Sequence, residues 1–535
     1  MNVACKNRSS RGLISAARFI FALLIIFPTA MAALELASRL IGPTAIRAAA
    51  EEPTGLQAAE AIQQAVENAI AKSEHSVVAI AQSRKYKPGK APSRGFRPDP
   101  FMPELQPVEG ADPQPKDADF IPTEYGTGVV VDRRGLILTN FHVLGKSTDD
   151  FDVEHWVATA DHKNRLATIK AADPRSDLAI LEIDATNLTP ITFGDGAALK
   201  KGQIVIALGN PYAIARDGEV SASWGIVSNL LRKAGPVPTA NPNGGPATRP
   251  TLHHFGTLIQ TDAKLNFGTS GGALVNLHGE MIGLTSSAAA AAGYEQAAGY
   301  AIPVDDTFRR VLAALKEGRE VEYGFLGVSP QSSEDPRPAP AQGMRVGAVV
   351  SATPAFRAGL RGNDIITRVN NQPVHDADEL FLLVGRLAAE AKVKLSILRN
   401  DKPLELEVTL SKYPIRENAI VTAPAPAWRG LRVEYVTAQP NFAEMHRNGK
   451  IPEEPGVVIT EVAKDSPAAA AGLKPGEYLT QIENKPVDSP RVFYAAANKQ
   501  SGPVALQLLV EKTTSDEFVS RIEFRHETTT VGVKK

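Results

Sequence analysis

Cysteine is almost missing from this chain of 535 residues, and the only one, Cys5, lies ahead of an apolar run that begins at Phe19. With that leader removed, no disulfide and no thiolate metal site is available, so folding would not depend on the redox state of the compartment. Charge imbalance is missing too. Lys+Arg 58 against Asp+Glu 59 leave a formal net charge of −1, which removes any electrostatic reason to expect nucleic acid as a partner. No glycine-rich phosphate loop is present to bring in ATP, and nothing has the spacing of a zinc site. Neither a cofactor nor a metal is therefore expected.

A membrane-spanning length of apolar residues is also lacking. Lys6, Arg8, Arg11 and Arg18 precede a run from Phe19 to Ala33, shorter than the roughly 20 residues that cross a bilayer. Basic residues followed by a short apolar stretch have the shape of an export signal, with small-residue cleavage sites at Ala30-Met31-Ala32 or Ala48–Ala50. Residues 1–50 thus read as a signal peptide, with a retained anchor and membrane association as the other reading. Both place the chain in the periplasm or another extracytoplasmic space.

What is present is enough for several packed cores: 43% apolar residues over a length that suggests three to four domains. Leu56, Ile62, Val66 and Ile70 recur at roughly helical spacing, so Gly55–Ser73 reads as a helix. Ser76 to Gln82 reads as a first strand. Residues 84–120 are rich in Pro, Lys, Arg and Asp and read as a long polar loop; 233–254, rich in Pro, Asn and Gly, is a second insertion. Between about Glu74 and Asp305 short β-rich runs alternate with Gly, Asn and Asp, as in a pair of antiparallel barrels.

Three blocks carry the chemistry. Gly268 to Leu274 reads GTSGGAL, a turn in which Ser270 sits among small residues and backbone N–H groups can face a developing oxyanion. Serine alone is a poor nucleophile, so a base and a group that orients it are required. His142 in TNFHVL and Asp177 in DPRSDLAI supply them, although Asp173 and Asp184 compete for the orienting role and the chain has ten histidines. The order His142, Asp177, Ser270 is that of chymotrypsin. In that mechanism Ser270 attacks a peptide carbonyl, His142 takes and returns the proton, and Asp177 fixes the imidazole tautomer. Backbone N–H groups of the Gly268, Thr269, Ser270 stretch, those of Gly268 and Ser270 foremost, would form the oxyanion hole.

The stretches GTGVVVDRRGLILTNFHVL, DPRSDLAILEI, IVIALGNPY, GIVSNL, LIQTDAKLNFGTSGGALVNLHGEMIGLTS and GYAIPV resemble the HtrA (Deg) family of trypsin-like serine proteases. Departures are few: Phe141 follows Asn140 where a second asparagine is frequent, and Phe267 and Thr269 replace the frequent proline and asparagine. The resemblance implies a mainly β chain, with a chymotrypsin-like double β-barrel over 51–310 followed by two PDZ-like α+β domains. It places a variable regulatory loop at 84–120, against the alternative of an insertion without a role. It also implies homotrimers or multiples of trimers, unfolded or misfolded protein substrates, and an oxyanion turn that can be switched. Leu284, Thr285, Ala301 and Ile302 would line a small apolar pocket by the same resemblance, and without an aspartate there cleavage is expected after Val, Ala or Leu.

The C-terminal half repeats itself. The stretch from Gly343 realigns with that from Gly456, Pro354 and Gly359 recurring as Pro467 and Gly472 at an unchanged offset. Two copies of about 90 residues imply two similar domains rather than a solenoid. In each, Thr/Ser-Pro-Ala opens a short helix that ends at Ala-Gly-Leu, where glycine suits a left-handed cap. The pattern resembles PDZ domains, at 320–413 and 429–527 with a linker at 414–428. Such modules catch C-terminal peptides at a sheet edge. Phe325, Leu326, Gly327 and Val328 fit the carboxylate loop of the first, whereas Trp428-Arg429-Gly430-Leu431 puts arginine at an apolar position of the second and leaves a packing role open. Two classes of function follow: an exported, ATP-independent endoprotease, or a PDZ-based chaperone or adaptor in which proteolysis is minor.

Overall fold

The computed structural model describes residues 55–86, 124–145, 151–210, 219–235, 249–286, 298–331, 342–414, 419–516 and 519–533. Helix α1 (Gly55–Ser73) opens them, and its C-terminal turns bury Ala69 and Ser73. Strands β1 (Val77–Tyr86), β2 (Glu124–Asp132), β3 (Leu136–Asn140), β4 (Phe151–Thr159), β5 (Lys163–Asp173) and β6 (Leu178–Ile183) form one sheet in the order β5-β4-β1-β2-β3-β6. Pairing of β5 with β6 closes it into a barrel. Its interior is filled by β-branched and aliphatic side chains, among them Val78, Ile80, Val130, Ile137, Val157 and Leu181, which suit a pleated, enclosed surface.

A second closed barrel joins β7 (Ile204–Gly209), β8 (Ser221–Arg232), β9 (Leu258–Thr261), β10 (Ala273–Val275), β11 (Met281–Thr285) and β12 (Gly299–Pro303), in the order β10-β11-β12-β9-β8-β7. Leu138, Leu178 and Ile180 from the first barrel share a core with Ile206, Leu208 and Ile302 from the second. Helix α2 (Asp306–Lys316) seals that core. Its apolar residues Phe308, Val311, Leu312 and Leu315 fall on one face, and the Asp305 side chain caps it by accepting from the Phe308 N–H.

The two repeat copies build sheets of the same order. The first runs 328–330, 344–349, 365–369, 392–399, 402–409, with helix α3 (Ala377–Gly385) packed on it; the second runs 431–435, 457–462, 478–482, 504–516, 519–531, with helix α4 (Pro490–Ala497). In both, a single helical turn starts at the proline and ends before a glycine with positive φ, 77° at Gly359 and 81° at Gly472. The expected mainly β, double-barrel-plus-two-α+β architecture is what the chain adopts.

Several boundaries differ from the sequence reading. Strand β1 extends to Tyr86, three residues into the stretch expected as a loop from 84; residues 87–123 lie outside the described ones, as do 1–54, which contain the leader expected at 1–50, and 236–248 of the second insertion. The linker is not bare. Ile420–Val421 pairs antiparallel with β5, Ile420 opposite Ala172 and Val421 opposite Ala171, because β5 leaves an edge that an extended apolar pair can satisfy. The last strand runs to Val531, past the expected end at 527, since its ladder with 504–516 continues to Val504. Among the described residues no helix is long and apolar enough to cross a membrane.

Candidate active site

Strand β3 ends at Asn140, and the turn Phe141–Leu144 that follows carries His142. The loop from β5 to β6 is bonded to that turn through Asp177. Its carbonyl accepts from the Phe141 N–H at 3.0 Å and from Asn140 Nδ2 at 3.2 Å. Its carboxylate accepts from the His142 N–H at 3.0 Å and from His142 Nδ1 at 2.8 Å. Asp177 has a φ of 56°, a left-handed conformation that a non-glycine residue holds only when its surroundings fix it. With Nδ1–H donated to the carboxylate, Nε2 is the basic nitrogen.

Burial pulls the His142 pKa down, yet the Asp177 charge and hydrogen bond outweigh it and leave the imidazole above its ordinary value. Neither competing aspartate plays this part. Asp173 is buried and accepts from the Ser176 N–H, the Ser176 hydroxyl and the Tyr323 hydroxyl, which shapes the loop from behind. Burial raises its pKa against those bonds. Beneath the same loop, His253 Nε2–H donates to the Ser176 carbonyl at 2.8 Å, while its Nδ1 accepts from the Thr257 hydroxyl. Desolvation keeps His253 low in pKa, consistent with this neutral tautomer.

Ser270 follows a tight turn in which the Thr269 N–H returns to the Asn266 carbonyl at 3.2 Å. Gly268, third in that turn, has a φ of 92°, the requirement of type II geometry. The Thr269 amide is thereby engaged within the turn, a correction to its place among the three oxyanion donors.

Thr127 of β2 anchors the serine turn, a role the sequence reading missed. Its hydroxyl donates to the Gly268 carbonyl at 2.6 Å and its N–H to the Ser270 carbonyl at 2.8 Å. The Asn210 N–H in turn donates to that hydroxyl, and the Thr139 hydroxyl holds the Thr127 carbonyl. Gly126 beside it leaves room for both sides: a Cβ there would stand 2.5 Å from Val143 and 3.5 Å from the Ser270 carbonyl. The histidine turn and the serine turn therefore adjoin across the junction of the barrels.

Leu284 and Ile302 face each other across β11 and β12 and sit in the shared core, and Ala301 lies in the second barrel's own core. Thr285 is buried as well, its hydroxyl donating to the Thr269 carbonyl. Three of the four are thus core residues and Thr285 alone bonds the serine turn, while 287–297, the stretch after β11, lies outside the described residues.

In the first repeat copy, Leu326 is buried, Gly327 has a φ of 88°, and Phe325 packs edge-on against Tyr413 and Phe442. A cavity of about 220 Å³ opens beside this loop. The corresponding loop of the second copy is filled by its own chain. The Arg429 guanidinium donates to the carbonyls of Gln500, Gly502, Val531 and Gly532 and stacks on Trp428 at 4.5 Å. Among the described residues no group of His, Cys, Asp and Glu could hold a metal ion.

The family models and the curated relatives agree with this arrangement. A model described as trypsin-like peptidase domain matches residues 126–284, and two PDZ domain models match 324–410 and 458–502. A probable periplasmic serine endoprotease, DegP-like, from Pseudomonas putida (strain W619) is 33% identical over 379 residues, 69% of this chain and 72% of the relative. The periplasmic pH-dependent serine endoprotease DegQ of Escherichia coli (strain K12) is 32% identical over 391 residues, 72% of this chain and 78% of its own. Among solved structures, the HtrA-type protease AlgW with decapeptide superimposes with a TM-score of 0.47 at 26% identity, covering 65% of this chain and 99% of that one.

Proposed function

The chain belongs to the HtrA family of DegP/DegQ-like serine endoproteases, and from this membership we propose that it is an exported, ATP-independent enzyme that degrades unfolded or misfolded proteins. Catalysis is assigned to His142, Asp177 and Ser270. Ser270 Oγ attacks the scissile carbonyl carbon as His142 Nε2 takes its proton; the oxyanion forms against the backbone N–H groups of Gly268 and Ser270. The tetrahedral intermediate then collapses, His142 hands the proton to the leaving amine, and an acyl-enzyme remains. Water repeats the sequence and frees the serine. Asp177 holds the imidazolium through the 2.8 Å bond to Nδ1, and this is the observation that carries the assignment.

An apolar residue before the cut, Val, Ala or Leu, completes the substrate reading. The first PDZ domain binds C-terminal peptides, and the second serves packing, supported by the Arg429 contacts that occupy its loop. Extracytoplasmic location is supported by the periplasmic naming of the relatives, and assembly as homotrimers or multiples of them belongs to the same proposal. Digestion of unfolded β-casein without ATP tests the reading. Wild type should cut after Val, Ala or Leu and Ser270→Ala should not; equal digestion by both removes Ser270 from its role, and binding without digestion by either makes the protein an adaptor.

A further inference from the structure

The geometry points to Arg175, a residue of the protease domain, as the anchor for the terminal carboxylate of a peptide bound in the first PDZ groove. The inference rests on the reading of that domain as a peptide-binding module and adds a residue from outside it. The groove is built by two domains. On one side lie the loop Phe325–Val328 and the α3 residues Leu380, Val384 and Gly385; on the other lie Arg175 and Phe255. Phe255 meets Phe381 of α3 edge-on at 6.0 Å between ring centres, so the protease domain forms a wall of the cavity.

Arg175 is 5% exposed, and its guanidinium carbon lies 3.7 Å from the Tyr413 ring centre. One terminal nitrogen comes within 3.0 Å of where a Cβ on Gly385 would stand, which places the charge at the C-terminal end of α3, next to the Phe325–Val328 loop. That glycine makes the approach feasible. Among the described residues no carboxylate is within 4.0 Å of the guanidinium and no hydrogen-bond acceptor takes its Nε–H. Asp173 is the acid whose field reaches it, but the bonded oxygen of that carboxyl is committed to Ser176 and Tyr323. A buried cation without a close counterion is costly, and an incoming carboxylate offsets that cost by a charge-assisted, bidentate contact.

The apolar part of the ligand follows from the same cavity. Its volume of about 220 Å³ and the side chains of Leu326, Val328, Leu380 and Val384 suit an aliphatic last residue. Strand 328–330 lies at the edge of its sheet, where a peptide can add by backbone pairing. The occupant is thus a protein C-terminus with a free carboxylate and an aliphatic final side chain.

Binding of fluorescein-labelled decapeptides ending in Ala-Leu-Val, as free acid and as C-terminal amide, tests this by anisotropy on the full-length Ser270→Ala protein. The parent should bind the acid about tenfold more tightly than the amide, the low end for a charge-assisted pair. Arg175→Leu should cut that preference to about twofold, the share left to the Phe325–Val328 loop, by weakening the acid far more than the amide, and Arg175→Lys should restore part of it. Should Arg175→Leu fold poorly, Arg175→Gln keeps the stem, drops the charge and carries the same expectation. Phe255→Ala should weaken acid and amide by one factor. An acid preference undiminished by loss of the Arg175 charge overturns the assignment while sparing the PDZ reading. Failure of the parent to bind either peptide, with casein digestion by wild type intact, removes the PDZ reading and the assignment together.

Discussion

Replacing Gly268 with alanine is expected to slow peptide hydrolysis by two to three orders of magnitude without unfolding the protein. The glycine has a φ of 92°, and a Cβ there would lie 2.6 Å from Tyr125 Cδ2 and 2.7 Å from the Asn210 carbonyl oxygen. A tyrosine ring can swing aside; a backbone carbonyl at the end of β7 cannot. Left-handed backbone costs an alanine about 1–2 kcal/mol, so the turn escapes by rotating the peptide between residues 267 and 268 and carries the amide of residue 268 away from the reacting oxygen. Loss of one oxyanion donor costs about 2.7–4 kcal/mol, or roughly 10²–10³ in kcat. Release of nitroaniline from a peptide anilide with valine before the scissile bond measures the rate, with thermal melting run in parallel. Gly268→Ala combined with Tyr125→Ala should be as slow as the single variant, because the carbonyl and the dihedral remain. A single variant within about threefold of wild type, a difference of well under 1 kcal/mol, would refute the reasoning.

The raised His142 pKa sets the acid limb of kcat/KM: activity should fall as pH drops through a midpoint above the ordinary histidine value of 6.5. Asp177→Asn leaves burial unopposed, so in a pH–rate profile that midpoint should move down while the maximal rate falls by about four orders of magnitude. For Asp173, Asn keeps the acceptor for Ser176 and Tyr323 and should cost under about 1 kcal/mol in denaturant unfolding, whereas Ala strands those donors and should cost about 1–3 kcal/mol. Because burial raises this carboxyl's pKa, wild type should lose stability relative to Asp173→Asn as pH climbs from 3.8 through the shifted value. Arg429→Ala removes donors from four carbonyls and should destabilise the second PDZ domain by about 2–4 kcal/mol, read as earlier protection loss in its last strand by hydrogen exchange.

The reach of the sequence can be judged residue by residue. TNFHVL and DPRSDLAI put His142 just after one strand and Asp177 just ahead of another, and the repeat of Pro354 and Gly359 at Pro467 and Gly472 marks the paired domains, because each signal is local. Thr127 was illegible for the opposite reason. A threonine in a β-rich run reads as strand filler, and its hold on Gly268 and Ser270 exists only where two barrels meet. Leu284 with Thr285, and Ala301 with Ile302, are adjacent in their strands, and strand neighbours point to opposite faces, so one residue of each pair enters a different core or contact from the other and the four do not line one pocket. Ile420–Val421 is too short to show any period, and its partner β5 is some 250 residues upstream. Arg175 stands two residues before Asp177 in sequence, while its side chain lines a cavity together with residues of the first PDZ domain.

Labelling of the intact protein with a fluorophosphonate tests most directly whether His142, Asp177 and Ser270 act as one unit. One adduct per chain on the Ser270 peptide, lost in His142→Ala and strongly slowed in Asp177→Asn, is the result expected. An adduct on another serine, or labelling of Ser270 at an unchanged rate without His142, would contradict it.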